Sequence, residues 1–272
     1  MDLSLKQLSF AYHAKKPVLQ QVDTILTSGQ LTALLGVNGS GKSTLIKLMA
    51  GILKPDQGQI VLGAPANRPL SSLGPRQIAH HCAYVAQNTQ PPALTVFDYV
   101  LLGRLPHQSG WTSKPMPADL KLVEESLAQM ELTPLAFRPM GELSGGQVQM
   151  AVIARALAQQ APILLLDEPT NNLDPSHQLR LMKKLHAISR QRHTTVIYSM
   201  HDVNLALHWA DQVVLLHEGR VLRHIATEKL TAADLSTLFG LSYRMHTAQN
   251  MTKNTAVNSA AEVQRWFWPD VC

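Results

Sequence analysis

Residues 36–44, Gly36-Val37-Asn38-Gly39-Ser40-Gly41-Lys42-Ser43-Thr44, limit what this chain can fold into more than any other stretch. They fit the phosphate-cradling string G-x-x-x-x-G-K-[S/T]. The flanks agree. Gln30 to Val37 reads as a buried strand, and Ser43 to Ala50 reads as a helix that Gly51 closes. Strand, loop and helix in that order let glycines bend the backbone until successive N–H groups face one anion. The helix N-terminus adds partial positive charge at the same point. Lys42 is placed to reach the β and γ phosphates of a nucleotide, and Ser43 to offer its hydroxyl to Mg²⁺. The loop alone says nucleotide phosphates, not what their chemistry serves.

The rest of the sequence sets limits. At 272 residues and 45% hydrophobic content the chain can bury one large core or two small ones. No apolar run approaches the ~20 residues that span a bilayer. The start, Met1-Asp2-Leu3-Ser4-Leu5-Lys6, lacks the basic-then-apolar form of a signal peptide, so a cytoplasmic or membrane-peripheral protein is expected. A net charge of +5 suits acidic partners without selecting one, and no block of like charges accompanies it. Cys82 and Cys272 form no C-x-x-C and read as free thiols in a reducing compartment. The twelve histidines fit no common zinc spacing.

Along the chain, Leu3 to Tyr12 alternates apolar and polar with one slip, and Val18 to Leu26 follows as a second strand. Gln59 to Leu62 is a short strand, and Gly63 to Arg76 reads as loop. Cys82 to Ala86 is a strand ending on Gln87. Helical character then runs from Asn88 to Gln159. Thr95 caps a helix, Leu120, Val123, Leu127 and Met130 mark one face of a second, and a third starts near Ser144. Ile163 to Leu166 and Thr194 to Met200 are buried strands. Between them Asp174 and Pro175 open a helix with Leu179, Met182, Leu185 and Ile188 on its inner face. Val203 to Trp209 is a short helix. A hairpin through Glu218-Gly219 follows, then a helix from Thr231 to Phe239. The expected fold is α/β, with a mostly parallel sheet covered on both faces, antiparallel strands at the N-terminus and a helical subdomain inserted at about 88–159. Residues 1–240 read as one nucleotide-binding domain and 241–272 as an extension.

Polar clusters follow the apolar strands. Ligands of open α/β sheets bind beyond the carboxyl ends of the strands, so Gly36–Thr44, Gln87, Asp167-Glu168 and His201 should converge on one crevice. A second string, Leu143-Ser144-Gly145-Gly146-Gln147, places a hydroxyl and glycine amides at a helix start and so offers a second anion site. One active site cannot easily use two such loops on one face. Two chains packed head to tail, each closing this string over the other's ATP, resolve the conflict.

With these motifs in place the chain resembles the ATP-binding cassette ATPases. The matching residues are the phosphate loop GVNGSGKST, Gln87 of the Q-loop, the signature LSGGQ, the strand ILLLDE, the D-loop Asn172-Leu173-Asp174 and the switch His201. Tyr12 matches the aromatic that stacks on adenine in that family. The resemblance spans about Leu3 to Gly240 and implies an ATP-sandwich homodimer using ATP and Mg²⁺. In it Asp167 would hold the Mg²⁺ shell, and Glu168 would polarise the attacking water as general base. His201 would contact the γ-phosphate. Gln87 would touch Mg²⁺ and water and act as hinge into the helical subdomain. Asp174 would lie at the dimer seam. One departure is clear. The family commonly has an Arg in LSGGQ-x-Q-R, whereas this chain runs Gln147-Val148-Gln149-Met150, with Arg155 further along the helix.

The stretch from Gln87 to Ser144 leaves no room for long coiled-coil arms, and one set of motifs excludes a tandem cassette. Leu94 to His107 and His201 to Arg220 look like the equivalent stretches of bacterial iron–siderophore, haem and cobalamin importers. That likeness implies permease subunits as partners, an external substrate-binding protein, and a place on the cytoplasmic face of the cell membrane. Molybdate or zinc/manganese import, or a soluble iron–sulfur assembly ATPase, are the alternatives. Nucleic acid is not expected, since no aromatics interleave with clustered Lys/Arg. The tail holds Arg265-Trp266-Phe267-Trp268-Pro269, read either as packing onto the core or an added strand, or as a partner or regulatory contact.

Overall fold

Two sheets of different character share one helix between them. A computed structural model describes residues 1–13, 16–64, 66–87, 89–108, 114–171, 173–249 and 263–269. The first sheet is antiparallel. It is built from β1 (Leu3–His13), β2 (Lys16–Leu26), β4 (Gln57–Leu62) and β5 (Arg68–Pro69), in the order β2-β1-β4-β5. The slip in β1 is real. Gln7 takes φ +50°, and the pairing with β2 shifts between Leu5 and Leu8. Gly58 of β4 faces that bulge with φ +78°. A Cβ there would meet the carbonyls of Lys6 and Gln7 at 2.3 Å, so no other residue fits.

The second sheet holds β3 (Leu31–Leu35), β6 (Cys82–Val85), β7 (Ile163–Leu166), β8 (Thr195–Met200), β9 (Gln212–His217) and β10 (Arg220–Ala226). Its order is β10-β9-β3-β8-β7-β6. All neighbours are parallel except β10, which returns antiparallel through Glu218 and Gly219, both at positive φ. These parallel strands are apolar throughout because both faces are covered. On one face Leu34, Leu165, Ile197 and Val214 meet α1 (Lys42–Met49), whose other side packs on the antiparallel sheet through Leu3, Leu5, Leu19 and Ile60. On the opposite face Leu35, Leu166, Val196, Tyr198 and Leu215 meet the remaining helices.

Between β6 and β7 lies the helical insertion: α3 (Val96–Leu101), α4 (Pro117–Gln129) and α5 (Gly145–Ala158). Thr95 caps α3 by accepting from the Asp98 amide at 3.1 Å. In α4, Val123, Leu127 and Met130 are buried as expected, but Leu120 is 36% exposed. The position before it, Asp119, turns inward instead to meet Arg104 at 2.8 Å. Met150, in place of the expected basic residue, fills the core, and Arg155 lies over the Tyr99 ring of α3 at 5.2 Å.

Two further expectations need correction. Gly63 to Arg76 is not all loop: β5 pairs with β4, and α2 (Pro75–His81) begins at Pro75, with the Gln77 side chain accepting from the Gly74 amide. No residue of α2 is fully buried, so it carries no apolar stripe for a sequence to show. In α6 (Pro175–Arg192) the inner face is Leu181, Met182, Leu185 and Ile188, while Leu179 is 51% exposed.

After α7 (Val203–Trp209) and α8 (Ala232–Phe239), the tail forms a ribbon of β11 (Tyr243–Gln249) and β12 (Val263–Pro269). Packing is the reading that holds, because Phe267 is 2% exposed. The Asn204 side chain of α7 donates to the Phe267 carbonyl at 3.2 Å and accepts from its amide at 2.9 Å. Cys82 is a free, buried thiol that burial pushes up to about 12. Trp111, Asn172, Cys272 and most of Gln249–Ala261 lie outside the described residues.

Candidate active site

The phosphate loop spans the gap from Leu35 at the end of β3 to Lys42 at the start of α1. Gly39 and Gly41 take φ +81° and +104°. Gly36 is crowded: a Cβ there would lie 2.2 Å from the Leu216 carbonyl and 2.6 Å from Ser40 Oγ. The loop therefore needs glycine at its base for space and at Gly39 and Gly41 for conformation. Lys42 is buried and folds back over the loop, donating from Nζ to the carbonyls of Gly36 (2.9 Å) and Val37 (3.1 Å). Burial lowers its pKa against the opposing pull of Glu168 and Asp167. Ser40 Oγ is buried without a partner among the described residues. A cation, an orphaned hydroxyl and a helix start aimed at one spot suit a phosphate. Asn38 and Gly39 lie exposed at the rim, and Tyr12 stands beside the loop, 52% exposed. Its ring sits edge-on to Phe10, and its hydroxyl is 3.4 Å from Thr44 Oγ1.

Asp167 and Glu168 follow β7 on the same side of the sheet. Ser43 Oγ donates to Asp167 Oδ1 at 2.9 Å, joining α1 to β7. Glu168 takes φ +50°, in the left-handed region. It is 9% exposed, with Gln87 and Asn171 both donating to Oε2 and His201 Nε2 lying 2.5 Å from Oε1. Gln87, Asp167, Glu168, Ser43 and His201 thus meet at the carboxyl ends of β6, β7 and β8, as the sequence pattern required.

Two partners in this cluster escaped the sequence reading. Ser199 accepts from the Glu168 amide (2.8 Å) and donates to Asp167 Oδ1 (2.8 Å). As the only serine in β8, it carried a faint signal. Asn171, three residues past Glu168, lies where a turn residue is unremarkable. Ser43 and Asp167 offer hard oxygens beside the phosphate loop, which fits Mg²⁺, a cation that takes few protein ligands and fills its shell with phosphates and water. Among the described residues, no three His, Cys, Asp or Glu side chains gather to hold a metal alone.

The second glycine string lies apart. Ser144 caps α5, accepting from the Gln147 amide at 3.3 Å, while Gln147 Oε1 accepts from the Ser144 amide at 3.0 Å. Ser144 and Gly145 are exposed. Among the described residues no hydrogen bond joins Ser144–Gln147 to Gly36–Thr44. Asp174 caps α6. The His177 amide, the Ser176 hydroxyl and the His177 ring hold its carboxyl far below the usual carboxylate range.

The family model for ABC transporters matches residues 19–171. The chain belongs to the ABC transporter ATPase family. It is 38% identical, over 89% of its length and 92% of the relative's, to an uncharacterized ABC transporter ATP-binding protein of Methanocaldococcus jannaschii. It is also 38% identical to the hemin import ATP-binding protein of Enterobacter cloacae, over 80% of this chain and 83% of that one. Among solved structures, a chain from an ABC transporter described as metal-chelate type, in an inward-facing conformation, superposes with a TM-score of 0.82 at 32% identity. That match covers 98% of this ABC ATPase and 96% of its counterpart. An ATP-binding cassette solved as a dimer in a post-hydrolysis state with ADP and phosphate matches at TM-score 0.71 and 26% identity, over 84% and 100%.

Proposed function

We propose that this ABC ATPase is the ATP-hydrolysing subunit of an importer for an iron chelate, a siderophore or haem, and drives separate permease subunits. The observation that carries the enzymatic part is the grip of Gln87, Asn171 and His201 on Glu168, next to the Asp167–Ser43 pair. Loop amides and Lys42 bind the β and γ phosphates, with Asn38, Gly39, Ser40, Gly41 and Thr44 completing the cradle and Tyr12 stacking on adenine. Ser43, Asp167 and Gln87 would hold Mg²⁺, which when bound would supply positive charge to the phosphates. Glu168 accepts a hydrogen bond from the attacking water and draws off its proton as the Pγ–O bond to ADP breaks. His201 steadies Glu168 and faces the γ-phosphate. Gln87 donates to the Glu168 carboxylate. Releasing it couples the state of the site to the insertion that begins one residue later.

Ser144, Gly145, Gly146, Gln147 and Asp174 of a second copy complete each site, an arrangement supported by the dimeric form of the cassette bound to ADP and phosphate. Residues 1–240, with the insertion at about 88–159, act as the nucleotide-binding unit, and residues 241–272 as an extension. Among the described residues no helix is long and apolar enough to cross a membrane, consistent with peripheral attachment at the cytoplasmic face of the inner membrane. The iron-chelate assignment draws on the hemin import relative, the metal-chelate type transporter and the Leu94–His107 segment. Cobalamin, molybdate or zinc/manganese cargo is the alternative.

Glu168→Gln tests the enzymatic part. Turnover should fall by at least about a hundredfold, while ATP binding persists and ATP drives a dimer seen by light scattering. Wild-type turnover would sink the role. Uptake of ⁵⁵Fe-siderophore, ⁵⁵Fe-haem and labelled cobalamin into cells lacking the chain identifies the cargo. Unchanged uptake of both iron complexes would sink the iron reading.

A further inference from the structure

The two glycines of the signature string do different work. Nothing lies within 4 Å of a Cβ built on Gly145, so that side is open for a ligand. A Cβ on Gly146 would sit 3.3 Å from His177 Cδ2, with Leu173 Cδ2 at 3.6 Å. The Cγ–Cδ2 edge of the His177 imidazole therefore lies against the signature backbone at Gly146, in the space that a Cβ there would crowd. The other edge of the ring is engaged too, with Nδ1 2.6 Å from Asp174 Oδ2. The next residue, Gln178, donates to the carbonyls of Thr170 (3.3 Å) and Leu173 (3.1 Å). At the near end of that segment, the Asn171 amide donates to the Glu168 carbonyl at 3.1 Å and its side chain to the Glu168 carboxylate. A series of contacts thus leads from Gly146 to His177 and Asp174, and from the neighbouring Gln178 through Thr170 to the adjacent Asn171 and on to Glu168, all in one chain.

We propose that His177 is a positioning residue that links the signature string to Glu168 of the same chain, so that each ATP site of the dimer adjusts the other. The proposal rests on the composite-site reading. If Ser144–Gln147 closes on the partner's ATP, it shifts the backbone on which His177 rests. His177 passes the shift to Asp174 and the start of the helix, where Gln178 carries it to Thr170 and Asn171, and so sets how firmly Glu168 is held over its own ATP. Hydrolysis in one site then depends on occupancy of the other. Sequence spacing gives no hint of this, because His177 is an ordinary polar residue in the first turn of a helix.

The test is steady-state ATPase of the purified full-length chain against ATP concentration, with Hill coefficient, kcat and KM for wild type, His177→Ala, His177→Asn and His177→Phe. Asn can place a donor where Nδ1 stands, whereas Phe keeps the ring on Gly146 but offers Asp174 nothing. Wild type should be cooperative, with a Hill coefficient approaching the number of sites, about 2. His177→Ala should bring it to about 1 and lower kcat at least about fivefold, with KM within about twofold. His177→Asn should recover more than half of both losses, and His177→Phe should not. If the Ala variant does not fold, the contrast between Asn and Phe decides alone. A cooperative wild type whose Ala, or equally whose Phe, variant keeps its Hill coefficient and kcat overturns the role of His177 and leaves the composite site standing. A wild type with a Hill coefficient of 1, together with a Glu168→Gln form that stays monomeric in ATP, overturns both.

Discussion

Ser199 carries a burden out of proportion to its size. It is fully buried, and its one hydroxyl accepts from the Glu168 amide while donating to Asp167 Oδ1. It therefore ties the end of β7 to β8 at both acidic residues. Ser199→Ala would leave a buried amide unpaired and remove one donor from Asp167. Leaving such a group unsatisfied costs about 1–3 kcal/mol, which urea unfolding at pH 7 would read directly. ATPase turnover should fall further than stability alone explains, since Glu168 loses its backbone anchor. A variant as stable and as active as the wild type would remove Ser199 from the supporting shell. At this scale the sequence was uneven. Lys42, Ser43, Gln87, Asp167, Glu168 and His201 were legible because each closes an apolar strand or opens a helix, where the topology must point it at the crevice. Ser199 and Asn171 were not, because a hydroxyl inside a strand and an amide in a turn have many possible uses. Only their partners distinguish them.

Among the elements, the helical insertion depends on one buried ion pair. Arg104, just after α3, donates from Nε to Asp119 at the start of α4 (2.8 Å) and from Nη1 to the Ala158 carbonyl at the end of α5 (2.7 Å). Burial raises the Asp119 pKa, but hydrogen bonds from Arg104 and the Met116 amide and the guanidinium charge outweigh it, so the net shift is downward. A folded pKa below the unfolded one means stability that is present above pH ~4 and lost as pH falls through the lowered folded value. Asp119→Ala would strand the guanidinium and should cost about 3–5 kcal/mol at pH 7. Denaturant midpoints at pH 7 and pH 3 test this, with the gap between wild type and variant narrowing at the lower pH. A gap that stayed constant would show that Asp119 acts through packing alone. Periodicity placed α4 correctly through Val123 and Leu127 but could not see that Asp119 turns inward and Leu120 outward. The burial of that acid depends on a partner fifteen residues away as well as on the local Met116 amide. The helix α2 was hidden for the opposite reason, since it buries no side chain fully and so leaves no stripe.

Over the whole molecule, the parallel sheet gathers the phosphate loop, Gln87, Asp167, Glu168 and His201 at one end, and the signature string lies apart from them with Ser144 and Gly145 exposed. The separation of the two strings agrees with the expectation that two anion-binding helix starts do not serve one ligand from the same side. The tail was not readable: its ribbon depends on Asn204 and Phe267, which are 63 positions apart. A molecule divided in this way should be stabilised by ATP in two separable steps. Binding at about 100 times Kd contributes about 2.7 kcal/mol. For a chain of this size that corresponds to a rise in Tm of roughly 5–10 °C, independent of protein concentration while the chain remains monomeric. Dimerisation adds a second term that grows with protein concentration. With Glu168→Gln, Mg²⁺ and ATP, Tm should therefore climb as the protein is raised from low to high micromolar. With ADP it should rise once and then stay level. Lys42→Ala should abolish both steps, because its Nζ is the cation turned over the loop. Differential scanning fluorimetry across a protein dilution series measures all three. A Tm in ATP that ignores protein concentration would leave the site confined to one chain, and the exposed Ser144–Gln147 string would then need another ligand.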